Sequence, residues 1–492
     1  MTGLEELSAQ ALAREGTRRA IEFGGRWINW GEMRQVADRL GALIDASGVA
    51  PQAPVAFVPR NRPSAIAALL GLIANGRTIR MIYAFQSAAA LARDVSRLTP
   101  AILVAAAEDY SEELLSVLRQ QETAAIALEE MDAVAVSDLE RSRHPADPQP
   151  PTSPRIEILT SGTTGPPKQF ALSYDLIARH YIGVGSSGPA QDATPMLLFM
   201  PLGNISGVYS TLPAILKGQP VVLLERFTVA GWHDHVLRYR PEVSGLPPAG
   251  VQMVLDANIP PADLACIRRM GTGAAPLDPT VHRAFEERYG IPILLSYGAT
   301  EFGGPVTAMT ADLHAAWGKQ KLGSVGRPLP GAQLRVVDPD TGAVLSPGHE
   351  GRLEVISPRI GPNWIRTSDI GLIDEDGFLF LHGRADGAIM RGGFKLLPET
   401  IERALLLHEA ISAAGVVGIT DRRLGQVPAA AIQLKPGVAQ PSVSDLEAHL
   451  RAHIYATHIP VKWRFVDALP QTPSLKVDRP ALRRLLEAAE PV

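Results

Sequence analysis

Along the first three hundred residues, short apolar runs rich in β-branched residues alternate with amphipathic stretches. Pro54–Val58, Ala101–Val104, Met196–Met200, Pro220–Leu224 and Ile291–Leu295 read as buried strands. Between them, Trp30–Ala46, Ala65–Ala74, Ala230–Tyr239 and Pro279–Tyr289 carry apolar residues at helical spacing. This alternation predicts an α/β fold of layered parallel sheets with helices on their faces. A polar, proline-rich segment, Arg141–Pro154, interrupts the pattern and reads as a linker. From about residue 320 to 383, short strands separated by turn signals predict a small β-barrel or meander. Beyond Gly393, helical Pro398–Leu407 and Val443–His453 flank extended Ala414–Ile419 and Ala429–Leu434, which predicts a compact α+β unit. The expected division is therefore a large domain over 1–383 and a small one over 384–492.

Composition narrows the function classes. The 492 residues are 46% apolar, enough for substantial cores, and 47 Lys and Arg against 51 Asp and Glu leave a net charge of −4. That balance gives no electrostatic case for nucleic acid or an anionic membrane as principal partner. The longest uncharged run, Ala193–Leu216, is long enough for a membrane span but is broken by Pro195, Pro201, Gly203, Asn204, Gly207 and Pro213. No span is expected there. Charged Glu5, Glu6 and Arg14 leave no apolar signal segment at the N-terminus. Cys266 is the only cysteine, so no intrachain disulfide can form, and it reads as a buried, apolar-like residue. A reducing, cytoplasmic setting is expected.

The sharpest chemical signal runs from Ile156 to Phe170. A predicted strand, Ile156–Leu159, enters Thr160, Ser161, Gly162, Thr163, Thr164, Gly165, Pro166, Pro167 and Lys168. Glycines let successive backbone N–H groups face one anion, the hydroxyls add donors, and Lys168 adds charge. This is a phosphate-binding composition. It is not the common nucleoside-triphosphate loop, because Pro167 precedes the lysine and Gln169 follows it.

The segment TSGTTGPPK resembles the phosphate loop of the adenylate-forming superfamily, which includes acyl-CoA synthetases, adenylation domains and luciferases. Further motifs follow in the same order. GTGAAPL (Gly271–Leu277) resembles the adenine-side loop, and SYGATE (Ser296–Glu301) the Tyr-Gly-x-Thr-Glu motif. RTSDIG (Arg366–Gly371) resembles the ribose motif. GRADGAIMRGGFKLLPETIE (Gly383–Glu402) is similar to the hinge region, and LPQTPSLKVDR (Leu469–Arg479) to the C-terminal lysine motif.

The resemblance implies an ATP-dependent acid:CoA ligase that makes an acyl-adenylate and then a thioester, with ATP, Mg²⁺ and CoA as its requirements. It implies phosphate contacts from Thr160–Thr164, Lys168 and Thr300, and Mg²⁺ ligation by Glu301. Gly273, Ala274 and Ala275 would approach adenine, with Tyr297 stacking within the Ser296, Tyr297, Gly298, Ala299 stretch. Asp369 would hold the ribose, reinforced by Arg384. Lys476 would bridge the substrate carboxylate and the α-phosphate. Rotation of a mobile small domain about Asp386 would then bring Gly392 and Gly393 to the CoA side.

Some positions depart from the family pattern. Gln169, Ser368 and Leu475 stand where glycine is usual. Asn204 stands at the histidine of a Pro-Leu-x-His-x-x-Gly segment that ends at Gly207. Asn204, Gly207, Gly303 and Gly304 are the expected acyl-pocket positions. Without the aspartate of amino-acid adenylation domains, an aromatic or medium-chain acid fits better. A carrier-protein thiol or an amine is the alternative acceptor, and a non-catalytic nucleotide-binding protein is the remaining class.

Overall fold

The structure is a computed structural model that describes residues 2–144, 151–160, 168–182, 193–391, 394–421, 424–472 and 475–488. It forms two compact units. One comprises Met1–Ser244, Ala262–Ile267 and Ala299–Gly304; the other comprises Gly245–Pro261, Arg268–Gly298 and Pro305–Val492.

The first unit is organised on a seven-stranded sheet. Its order is Ala133–Ala135, Ala124–Leu128, Ile102–Ala106, Val55–Val58, Ile79–Met81, Arg155–Thr160 and Lys168–Ser173. The inner five strands are parallel and the two edge strands antiparallel. Val55–Val58, Ile102–Ala106 and Ala124–Leu128 are buried at every position, as a parallel sheet covered on both faces requires. Helix Trp30–Ala46 starts at a capping box between Asn29 and Glu32. Helix Pro63–Ala74 is apolar all round and buried, and it starts two residues before the expected Ala65 because Pro63 fits the first turn. A side chain at Gly71 would press on Ala37 at 2.9 Å, so glycine sets how closely these helices pack. A four-stranded sheet of Met196–Leu198, Val221–Leu223, Arg19–Phe23 and Arg26–Asn29 completes the unit.

The long uncharged run becomes the strand Met196–Leu198 and the 12-residue helix Ile205–Leu216. Among the described residues, no helix is long and apolar enough to cross a membrane. Cys266 corrects its expectation: it is half-buried, not part of the core. Residues 145–150 of the segment read as a linker lie outside the described residues.

The second unit holds most of a five-stranded sheet, in the order Val243–Gly245, Arg269–Gly273, Ile293–Ala299, Gly304–Ala308 and Arg327–Pro328. Next comes a four-stranded antiparallel meander, Gln333–Val337, Gly351–Ile356, Ile365–Ile373 and Leu379–Arg384. Of the two β-rich forms expected for this segment, the meander is observed. The last sheet centres on the long hairpin Ile411–Asp421/Gly425–Leu434. Helices Pro398–Leu406 and Val443–Arg451 close an apolar core of Ile401, Leu405, Val416, Ile432, Leu446 and Trp463 over it.

Candidate active site

The strands flanking residues 161–167 pair antiparallel, with Thr160 opposite Lys168. The first of them is anchored in the sheet by buried Glu157, which accepts from Arg80 and Arg155, each at 2.7 Å. The backbone ends at Thr160 and Lys168 are thus fixed. Ser161, Gly162, Thr163, Thr164 and Gly165 lie outside the described residues, as do Gly392 and Gly393.

The adenine-side positions sit at the end of two parallel strands, Arg269–Gly273 and Ile293–Ala299, where Gly273 faces Ser296. A Cβ on Gly273 would lie 2.6 Å from Ser296 Oγ and 2.9 Å from its carbonyl oxygen, so only glycine fits. Ala274 follows with φ of +67°, a left-handed conformation that costs an L-residue about 1–2 kcal/mol. Backbone strain of this kind concentrates where a loop serves a ligand. Ala275 is half-buried beside it.

Five side chains from four segments converge in this unit. Tyr297 is buried and donates its hydroxyl to Asp369. Asp369 and Arg384 face each other across the antiparallel meander, and their side chains pair at 3.4 Å. Arg384 also grips Asp386 with Nε and a terminal nitrogen, at 2.9 and 2.6 Å. The Asp386 bonds, opposed by burial and helped by the Asp369 charge, raise the Arg384 pKa. Burial alone would push Asp386 up, but the bonds and charge of Arg384 and a Ser368 hydroxyl bond outweigh it and hold the carboxylate low.

Lys476 completes the group. It sits in a tight turn where Thr472 N–H donates to the Lys476 carbonyl at 2.7 Å and Leu475 N–H to the Thr472 carbonyl at 2.8 Å. The bridge Gln471–Val477 closes the turn. The ammonium keeps solvent access, yet its pKa falls: burial is the main cause, the Arg384 charge adds to it, and Asp369 opposes. A cation with reduced hydration beside the Asp369 carboxylate is suited to meeting developing negative charge.

Residues 7–362 match the AMP-binding enzyme family, and residues 400–476 match the AMP-binding enzyme C-terminal domain. The chain is an AMP-binding enzyme of the adenylate-forming superfamily. It is an AMP-forming ligase of the acid–CoA ligase type. The 2-succinylbenzoate–CoA ligase of Bacillus pumilus is 30% identical over 347 residues, covering 66% of this chain and 68% of that one. The sulfoacetate–CoA ligase of Cupriavidus necator is 28% identical over 476 residues, 92% of each chain. The amide bond synthetase McbA from Marinactinospora thermotolerans superposes with a TM-score of 0.76 at 26% identity, covering 98% of this chain and 99% of that one.

Thr300 and Glu301 open a short 3₁₀ turn at the end of strand Ile293–Ala299. Glu301 is exposed and makes no hydrogen bond or ion pair to the described residues, so its oxygens suit a hard cation. Gly303 and Gly304 are buried with φ of +65° and +118°, which favours glycine at both. Asn204 stands at the N-cap of helix Ile205–Leu216 without using its side chain to cap it. Gly207 has a packing reason as well: a Cβ there would lie 2.0 Å from the Pro201 carbonyl oxygen.

Sequence reasoning missed the hydroxyl link from Tyr297 to Asp369 and the anchor behind Lys476. Arg479 donates to the Val416 carbonyl at 2.6 Å, to Glu399 at 2.9 Å and to Glu402 at 3.2 Å. The available signal was Glu399 and Glu402, three apart on one helix face, with an arginine in the lysine motif.

Proposed function

We propose that the enzyme activates a carboxylic acid of aromatic or medium-chain type with ATP and transfers the acyl group to CoA. A carboxylate oxygen attacks the α-phosphorus, the bond to the β-phosphate oxygen breaks, and pyrophosphate leaves. The CoA thiolate then attacks the acyl carbon and AMP departs. The observation that carries this reading is the convergence of Lys476 with Asp369, Arg384 and Tyr297. In the first step Lys476 offsets the repulsion between the carboxylate and the α-phosphate. Asp369 accepts from the ribose hydroxyls, with Arg384 and Tyr297 holding it in place. Glu301 holds Mg²⁺, which screens phosphate charge when bound, with Thr300 beside it. Thr160–Thr164 and Lys168 hold the outer phosphates.

Asp386 serves as the hinge, and its salt link to Arg384 favours the arrangement in which Lys476 faces the nucleotide. Buried Gly303 and Gly304 add no side-chain bulk, and the uncommitted Asn204 amide supplies a polar group for the acid. This supports an acid with a flat or extended body. The likeness to an amide bond synthetase over nearly the whole chain supports a second reading, in which an amine accepts the acyl group. The cytoplasmic setting rests on the lone Cys266.

Pyrophosphate release measured over a panel of carboxylic acids tests the reading, with CoA, a pantetheinylated carrier protein or an amine then offered to the adenylate. The expected result is acid-dependent pyrophosphate release and thioester formation with CoA. Absence of release with every acid would overturn activation, and amide without thioester would move the acceptor to the second reading.

A further inference from the structure

His282 and Glu286 lie four residues apart on helix Pro279–Tyr289 and therefore share a face. His314, on helix Ala311–Trp317, meets them. His282 Nε2 is 3.1 Å and His314 Nε2 2.8 Å from the same oxygen, Glu286 Oε1. The Ile293 N–H reaches that oxygen too, at 2.7 Å. Three nitrogens thus converge on one carboxylate oxygen that has two lone pairs. A single cation among the three side chains resolves the crowding. It takes one lone pair from each imidazole and one from Oε1, and leaves the other Oε1 lone pair to the Ile293 N–H.

We propose that His282, Glu286 and His314 form a zinc site, with solvent as the fourth ligand. Donor atoms of the three residues lie within 4.8 Å of one another. Tetrahedral zinc with bonds of about 2.0–2.1 Å separates neighbouring donors by about 3.3–3.4 Å, so the two nitrogen–oxygen spacings, 3.1 and 2.8 Å, need to open by about half an ångström or less. Two imidazoles and one carboxylate are a borderline donor set, which favours zinc over magnesium or calcium. His282 is buried, while Glu286 and His314 are partly accessible, which leaves an entry path and room for water. The Ile293 N–H already orients the carboxylate from behind. His282 Nδ1 is buried without a partner, so one outer-shell support is missing, which lowers affinity about 10–100-fold relative to a fully supported site. The site ties helix Pro279–Tyr289, which directly follows the adenine-side loop in sequence, to helix Ala311–Trp317.

The test uses untagged full-length enzyme freed of metal by a chelator, then equilibrium dialysis against zinc with metal analysis. One zinc per chain and a zinc-dependent rise in melting temperature are expected. His314→Ala and Glu286→Gln, with unchanged circular dichroism, are expected to weaken binding at least tenfold and to remove the rise. Cobalt substitution of the unmutated enzyme gives an independent readout, the intense visible bands of a four-coordinate site. No stoichiometric zinc in the unmutated enzyme, a six-coordinate cobalt spectrum, or equal binding by both variants would overturn the proposal.

Discussion

Two arginine–carboxylate clusters in the second unit use the same chemistry for different ends. Arg479 lies half-buried against Glu399, Glu402 and the Val416 carbonyl. Arg384 lies at the surface between Asp369 and Asp386. In the first cluster the two carboxylates are mostly shielded, so removing Arg479 leaves Glu399 and Glu402 facing each other with little water to screen them. In the second, the half-exposed Arg384 meets solvent, so its pairs are partly screened and add less to stability. The two clusters differ in the exposure of their arginines, 53% for Arg384 against 32% for Arg479, more than in that of their carboxylates.

The largest expected effect breaks the anchor. Arg479→Ala is expected to destabilise the core under helix Pro398–Leu406 by about 3 kcal/mol, read by urea unfolding, because Glu402 is left largely shielded beside Glu399 with no cation. A loss below about 1 kcal/mol would mean that the two clusters do not differ as argued.

A second experiment probes the exposed cluster by pH. The Lys476 pKa lies below its ordinary 10.5, so the ammonium loses its proton at lower pH than a free lysine. Catalysis that needs the ammonium must then fall as pH rises through that lowered value. Arg384 lowers the Lys476 pKa and Asp369 raises it. At saturating ATP, Arg384→Gln is expected to move the alkaline limb of kcat for adenylation to higher pH, and Asp369→Asn to move it lower. Shifts of the opposite sign would remove Lys476 from this electrostatic group.

The smallest effect concerns the turn that joins the clusters. Leu475 has φ of +59°, a left-handed conformation that favours glycine. Leu475→Gly relieves about 1–2 kcal/mol of strain but adds unfolded-state freedom worth about 0.5–1 kcal/mol. A net gain of about 0.5 kcal/mol in unfolding free energy is expected, with Leu475→Ala giving none. The other two departures behave differently. Gln169 sits in a paired strand, where any residue adopts the backbone, and Ser368 gives its hydroxyl to Asp386.

Much of this architecture is legible in the sequence. Strands buried on both faces have to be apolar runs, and helices Trp30–Ala46 and Pro279–Tyr289 carry their own caps and periodicity. The motif residues stand out in the sequence because few side chains suit phosphate, ribose and carboxylate, and the structure brings four of them, Tyr297, Asp369, Arg384 and Lys476, together. Contacts between distant residues are less so. Tyr297 reaches Asp369 across 72 positions, and Arg479 reaches Glu399 across 80. No local period encodes such pairs. Gly207 shows a further limit, since its reason lies in the backbone of Pro201 and not in its own type.

The account stands most directly on Lys476. Pyrophosphate release from acid and ATP, and thioester formation from supplied acyl-adenylate and CoA, can be measured separately on Lys476→Ala. The account predicts a fall of about 10²–10³-fold in the first and little change in the second, the size expected for losing one preorganised transition-state contact. Equal loss of both, or full retention of the first, would contradict it.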